Sequence, residues 1–143
     1  MPKERYGFSE EEWQSLKELL TRILVERVRS DNLTIAYSEL TQAAVSQLQS
    51  RPTLSAKTKD VLTPESSALA AILGEISNDS CNASPDHGML SVIVVHKHGD
   101  FRPGKGFFEY AEKLGRLPRG ASDDDKEALW VEELRLVQRS YRG

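Results

Sequence analysis

Two histidines, a lysine and an aspartate crowd into His96-Lys97-His98-Gly99-Asp100, with His87 and Cys81 upstream. On a strand, His96 and His98 project from the same face, the placement that two ligands of a zinc-type centre need. Neither a third ligand nor its supporting shell is legible, so no metal site is expected. Metal-dependent nuclease chemistry would need a carboxylate two residues before Lys97, so that both groups meet at a metal-bound water. Val95 stands there. Cys81 lies in a polar stretch without the neighbours that activate a thiolate, and it is expected to be inert.

A denser feature runs from Lys97 to Phe108 (KHGDFRPGKGFF). Lys97, Arg102 and Lys105 are close together there, and glycines free the backbone so that phosphate can approach both cations and N–H groups. The glycine spacing and the missing terminal Lys-Ser/Thr exclude a phosphate-binding P-loop. Ser66 and Ser67, near the start of a helix, are further candidates for phosphate contact. Phe107 and Phe108 read as core.

The elements that hold these residues follow from periodicity. Ser9 and Glu12 have capping-box spacing, and Trp13, Leu16, Leu20, Ile23, Leu24 and Val28 form one helical stripe ending near Asp31-Asn32. A second helix is expected from about Tyr37 to Arg51-Pro52, and the polar stretch from Gln49 to Leu62 reads as a long connection. Thr63 as cap and Pro64 at the first helical position predict a third helix over 64–77, with Leu69, Ile72, Leu73 and Ile76 inward. Turn residues fill Asn78 to Gly88. Met89 to Lys97 is rich in β-branched residues and predicts a strand, and His98-Gly99-Asp100 reverses the chain into a hairpin. Pro103 to Gly106 breaks the return arm before a short helix stopped by Gly115. Ser122 with three aspartates opens a last helix, in which Trp130, Leu134, Val137 and Tyr141 share a face.

The chain has 143 residues and a formal net charge of -3. Its length fits a single domain over 1–143, made of an N-terminal helix 9–31, a core 34–114 and a C-terminal helix 122–141. An acidic balance excludes a protein that coats nucleic acid with its whole surface, so any such contact is local. No stretch approaches the roughly 20 apolar residues of a membrane span, and no signal-peptide pattern opens the chain. With Cys81 as sole cysteine, no intrachain disulfide can form. A cytoplasmic location is expected.

Ile35-x-Tyr37-x-Glu39-Leu40, a helix carrying Ala68, Leu69, Leu73 and Gly74, then an apolar strand and a glycine-punctuated hairpin, together resemble the C-terminal domain of the O6-alkylguanine-DNA alkyltransferases and alkyltransferase-like proteins. The likeness covers Thr34 to Leu114. In that family an I-x-Y-x-E-L-like segment opens the first helix of a helix-turn-helix, and the second such helix enters the DNA minor groove. The resemblance implies a winged-helix shape with helix 64–77 as the reading helix and the hairpin as the wing. Where the family carries Pro-Cys-His-Arg, this chain reads Leu90-Ser91-Val92-Ile93 and then Val95-His96-Lys97, and Cys81 falls too early. Alkyl transfer is therefore not expected.

The expected fold is mainly α (α+β), a helical, winged-helix-like domain with one β-hairpin. Without a catalytic constellation or a cofactor motif, the expected activity is binding. Two partners are compatible with the residues. One is nucleic acid, met by Lys97, Arg102 and Lys105 with Ser66 and Ser67. The other is a protein, met by acidic helical faces, as in a small adaptor, inhibitor or immunity-type module.

Overall fold

Ser9 Oγ accepts from the Glu12 N–H at 3.1 Å while Glu12 Oε1 accepts from the Ser9 N–H at 2.9 Å. This reciprocal cap starts helix α1 (Glu10–Arg29) where the sequence places it, and Trp13, Leu16, Leu19, Leu20, Ile23, Leu24 and Val28 are all buried on its inner stripe. The computed structural model describes residues 6–30, 34–63, 66–83, 88–95 and 105–142, and only the backbone of residues 83, 105, 106 and 142. Among them are six α-helices and one two-stranded sheet, which is the mainly helical class that the periodicity predicts. No helix among the described residues is long and apolar enough to cross a membrane.

Strand β1 (Ile35–Ala36) pairs in parallel with β2 (Val94–Val95), in the register Ile35 to Val94 and Ala36 to Val95. All four residues are buried, so the ladder lies inside the helices. The return arm of the expected hairpin falls in 96–104, outside the described residues. The strand itself is shorter than Met89 to Lys97, because Leu90–Ile93 forms a 3₁₀ turn. Side chains have taken the backbone groups that a longer strand would offer a neighbour. The Met89 N–H donates to Glu133, the Ser91 N–H to Ser77 Oγ, and the Val92 carbonyl accepts from Trp130 Nε1. An unbroken apolar run cannot distinguish these two backbones.

The stretch Gln49 to Leu62 is not a connection. After helix α2 (Tyr37–Gln47) the chain turns and enters helix α3 (Pro52–Val61), with Pro52 in its first turn. Leu54, Thr58 and Leu62 are buried at four-residue steps, a period hidden in the sequence by its serines, threonines and lysines. Helix α4 (Ser67–Ala83) also departs from expectation at both ends. Ser66, rather than Thr63, caps it, since Ser66 Oγ accepts from the Leu69 N–H at 3.1 Å; Pro64 lies outside the described residues. The helix runs through Asn78-Asp79 because Ser80 is buried and served, donating to the Gly88 carbonyl at 2.8 Å and lying 2.8 Å from Tyr141 Oη. Turn-forming residue types do not end a helix whose polar side chains find partners.

Helix α5 (Lys105–Lys113) begins earlier than expected, so Lys105 and Gly106 belong to it rather than to a break before it. It ends as predicted at Gly115, whose positive φ of 76° lets the Gly115 N–H reach Glu112 O at 3.1 Å and the Arg116 N–H reach Ala111 O at 2.9 Å. This double closure is a Schellman motif. Helix α6 (Asp123–Arg142) opens with Ser122 Oγ accepting from the Asp125 N–H. Trp13, Leu20, Leu69, Leu73, Val92, Val94 and Phe107 are buried as expected, whereas Trp130 is only half-buried. Its indole Nε1 donates to the carbonyl of the buried Val92 at 3.2 Å.

Candidate nucleic-acid interface

Helix α2 inherits its start from the buried β1 ladder, since the chain leaves Ala36 in extended backbone and turns helical at Tyr37. It closes on Leu48, whose N–H reaches Ala44 O and Val45 O at 3.1 and 3.2 Å, and the Arg51 N–H then returns to Leu48 O at 2.8 Å. Only residues 48–51 separate α2 from α3. The short turn lets α2 and α3 pack directly against each other.

Three polar ties fix α3 against its neighbours. Ser55 Oγ donates to Val45 O at 3.1 Å, which pins the first turn of α3 to the end of α2. Thr41 Oγ1 donates to Leu62 O at 2.6 Å, which pins the end of α3 to the middle of α2. Lys57 Nζ reaches both carboxylate oxygens of Glu12, at 3.0 and 3.3 Å, and so joins α3 to the cap of α1. The backbone bond from Ser9, then the bond from Lys57, hold the Glu12 carboxyl below the usual carboxylate range. With Leu54 and Thr58 turned inward, Arg51, Pro52, Thr53, Ala56, Lys59 and Asp60 are exposed. Residues 51–60 hold three cations, Arg51, Lys57 and Lys59, against one acid, Asp60, and of these Lys57 is engaged by Glu12.

The residues singled out from the sequence are placed differently. Lys97 and Arg102 lie outside the described residues, as do His87, His96 and His98. Lys105 is the first residue of α5, and its side chain is likewise outside them. Ser66 is half-buried and engaged as the α4 cap, and Ser67 is exposed beside it. The helix expected to read DNA is the central α4, where Ala68, Leu69, Ile72, Leu73 and Ile76 are buried and Asp79 is among the exposed positions. The second helix after Ile35-x-Tyr37-x-Glu39-Leu40 is α3.

Cys81 lies in the last turns of α4 and not in a loop, half-buried. Burial pushes its thiol up, with Arg116 opposing and Glu133 adding to the rise. Among the described residues, no group of three His, Cys, Asp or Glu side chains is placed to hold a metal ion. Sequence reasoning missed the polar cluster next to Cys81, where Arg116, Glu133 and the Met89 N–H meet. Its signal was a glutamate on the inward stripe of α6, between Trp130 and Val137.

No protein-family model matches the chain, and neither does a curated protein or a solved structure.

Proposed function

We propose that this chain is a DNA-binding helix-turn-helix module whose reading helix is α3. The observation that carries the proposal is the unit of α2, a four-residue turn and α3, with α3 tied down on one side and Arg51, Thr53, Ala56 and Lys59 exposed on the other. A reading helix has to be held rigidly while its outer residues stay in water, and its N-terminal turn favours phosphate. Arg51 and Lys59 contact phosphate in this reading, and Thr53 and Ala56 meet base edges. The resemblance of Ile35-x-Tyr37-x-Glu39-Leu40 to the segment that opens the first helix of the alkyltransferase helix-turn-helix supports the same assignment. Lys97, Arg102 and Lys105, with Ser66 and Ser67, add phosphate contacts outside the reading helix.

Fluorescence anisotropy of labelled duplex DNA at low and rising salt tests this reading. Removing Arg51 and Lys59 together should weaken binding to every sequence alike, and flatten the log-log salt slope by about 1.8 at roughly 0.9 per lost phosphate contact. Wild-type protein that fails to bind at low salt, or a double variant that binds equally well, overturns it. The surviving reading is then a protein-interaction module presenting acidic helical faces.

A further inference from the structure

Helix α6 hides its apolar residues less completely than α1 does. Every residue of the α1 stripe from Trp13 to Val28 is buried, but in α6 Leu129, Trp130, Leu134 and Leu136 are half-buried and Val131 is 48% exposed. The outward stripe reads Asp124, Glu127, Ala128, Val131, Arg135 and Arg139, all exposed. Acid occupies its first half, two small apolar residues its middle and base its second half.

We propose that this stripe is a homodimer interface, in which α6 of one copy packs antiparallel against α6 of a second copy about Val131. An antiparallel pair related by a two-fold axis sets the Asp124 and Glu127 half of each helix against the Arg135 and Arg139 half of the other. One operation thus sets each half against opposite charge. A partner of single charge sign would complement one half and repel the other, so the charge order selects a second copy. Ala128 and Val131 at the centre are small enough for the helices to approach, and the half-buried Leu134 is at the seam's edge. With the Arg135 bond to Glu132, at 3.2 Å within the helix, the Arg135 side chain is still 73% exposed. The interface is a single helix pair with charged edges, so the dimer is weak and salt-sensitive. The inference does not depend on DNA binding.

Sedimentation velocity over a range of concentrations tests it directly. Wild-type protein should move from monomer towards dimer as concentration rises, and back towards monomer in high salt. Val131→Asp should stay monomeric with an unchanged far-UV circular dichroism spectrum, since that side chain is exposed. Asp124→Lys/Glu127→Lys and Arg135→Glu/Arg139→Glu should each be monomeric alone, because like charges then oppose. Mixed one to one, they should form a heterodimer, which excludes misfolding as the cause of either loss. A wild type that stays monomeric at all concentrations, a Val131→Asp dimer, or a mixture that does not associate overturns the proposal.

Discussion

Arg116 grips Glu133 through both Nε and Nη2, the latter 3.1 Å from Oε2, and the same carboxylate takes the Met89 N–H at 3.1 Å. Glu133 is 2% exposed. The Schellman turn at Gly115 delivers Arg116 to this place, so the end of α5, the entry to the 3₁₀ turn and the middle of α6 converge on one buried carboxylate. Arg116→Ala leaves that charge without its partner and should cost about 3–5 kcal/mol. Adding Glu133→Gln, which removes the buried charge and keeps an acceptor for the Met89 N–H, should recover much of the loss. Urea denaturation of the two variants measures the difference, and equal losses would show that the pair does not act as a unit.

How much of this was legible in the sequence depended on whether polar residues found partners inside. The α1 stripe and the Ser9 and Ser122 caps follow from spacing alone, and the structure matches them. Helix α3 was hidden because Ser55, Thr58 and Lys57 look like loop residues, yet each has a hydrogen-bond partner in the fold. The continuation of α4 through Asn78 and Ser80 was hidden for the same reason. Composition reports what solvent favours. It does not report a carbonyl that the fold brings within 2.8 Å, as it brings Gly88 O to Ser80 Oγ. The candidate interface inherited this gap, since the second helix of its frame is the one that composition concealed.

A close approach of two helices gives a second prediction. A Cβ on Gly74 would stand 2.6 Å from Tyr110 Cε2 and 2.7 Å from Cδ2, so α4 and α5 meet where only glycine leaves room for the ring. Gly74→Ala should destabilise by about 1–3 kcal/mol through overpacking, despite the better helix propensity of alanine. Adding Tyr110→Ala should return part of that loss relative to Tyr110→Ala alone. Thermal melts of the four proteins in the cycle check this, and independent effects would place the ring elsewhere.

The Glu12 carboxyl, held below its usual range first by the Ser9 N–H and then by Lys57, makes stability depend on acid. A folded-state pKa below the unfolded one stabilises the fold fully above the unfolded value, and that contribution is lost as pH falls through the lowered folded value. Wild-type protein should therefore exceed Glu12→Gln in denaturant midpoint at pH 7, and the gap should narrow as pH falls below about 4. A gap that stays constant to pH 2 would assign the effect of the substitution to something other than this charge.

Cys81 should react slowly. Burial raises its thiol pKa and half-covers the sulfur, so the thiolate is scarce near neutral pH. Ellman's reagent should modify the folded protein at pH 7.5 more slowly than the same chain in urea, and the folded rate should climb as pH rises towards 9. Equal rates in the two states would mean that Cys81 is neither covered nor shifted.

The reading assigned to α3 separates two kinds of contact, and they should respond differently to substitution. Thr53 and Ala56 are exposed near the start of α3, where a reading helix meets base edges, and neither carries charge. Thr53→Val or Ala56→Ser should change which duplexes are preferred in a selection from random sequence, with a discrimination of about 1–3 kcal/mol at the affected base pair. The salt slope should stay at the wild-type value, because no phosphate contact is lost. Loss of Arg51 and Lys59 should do the reverse, lowering the slope while the preferred sequence is kept. If Thr53 and Ala56 variants select the same duplexes as the wild type, α3 contacts only the backbone and sequence is read by another element.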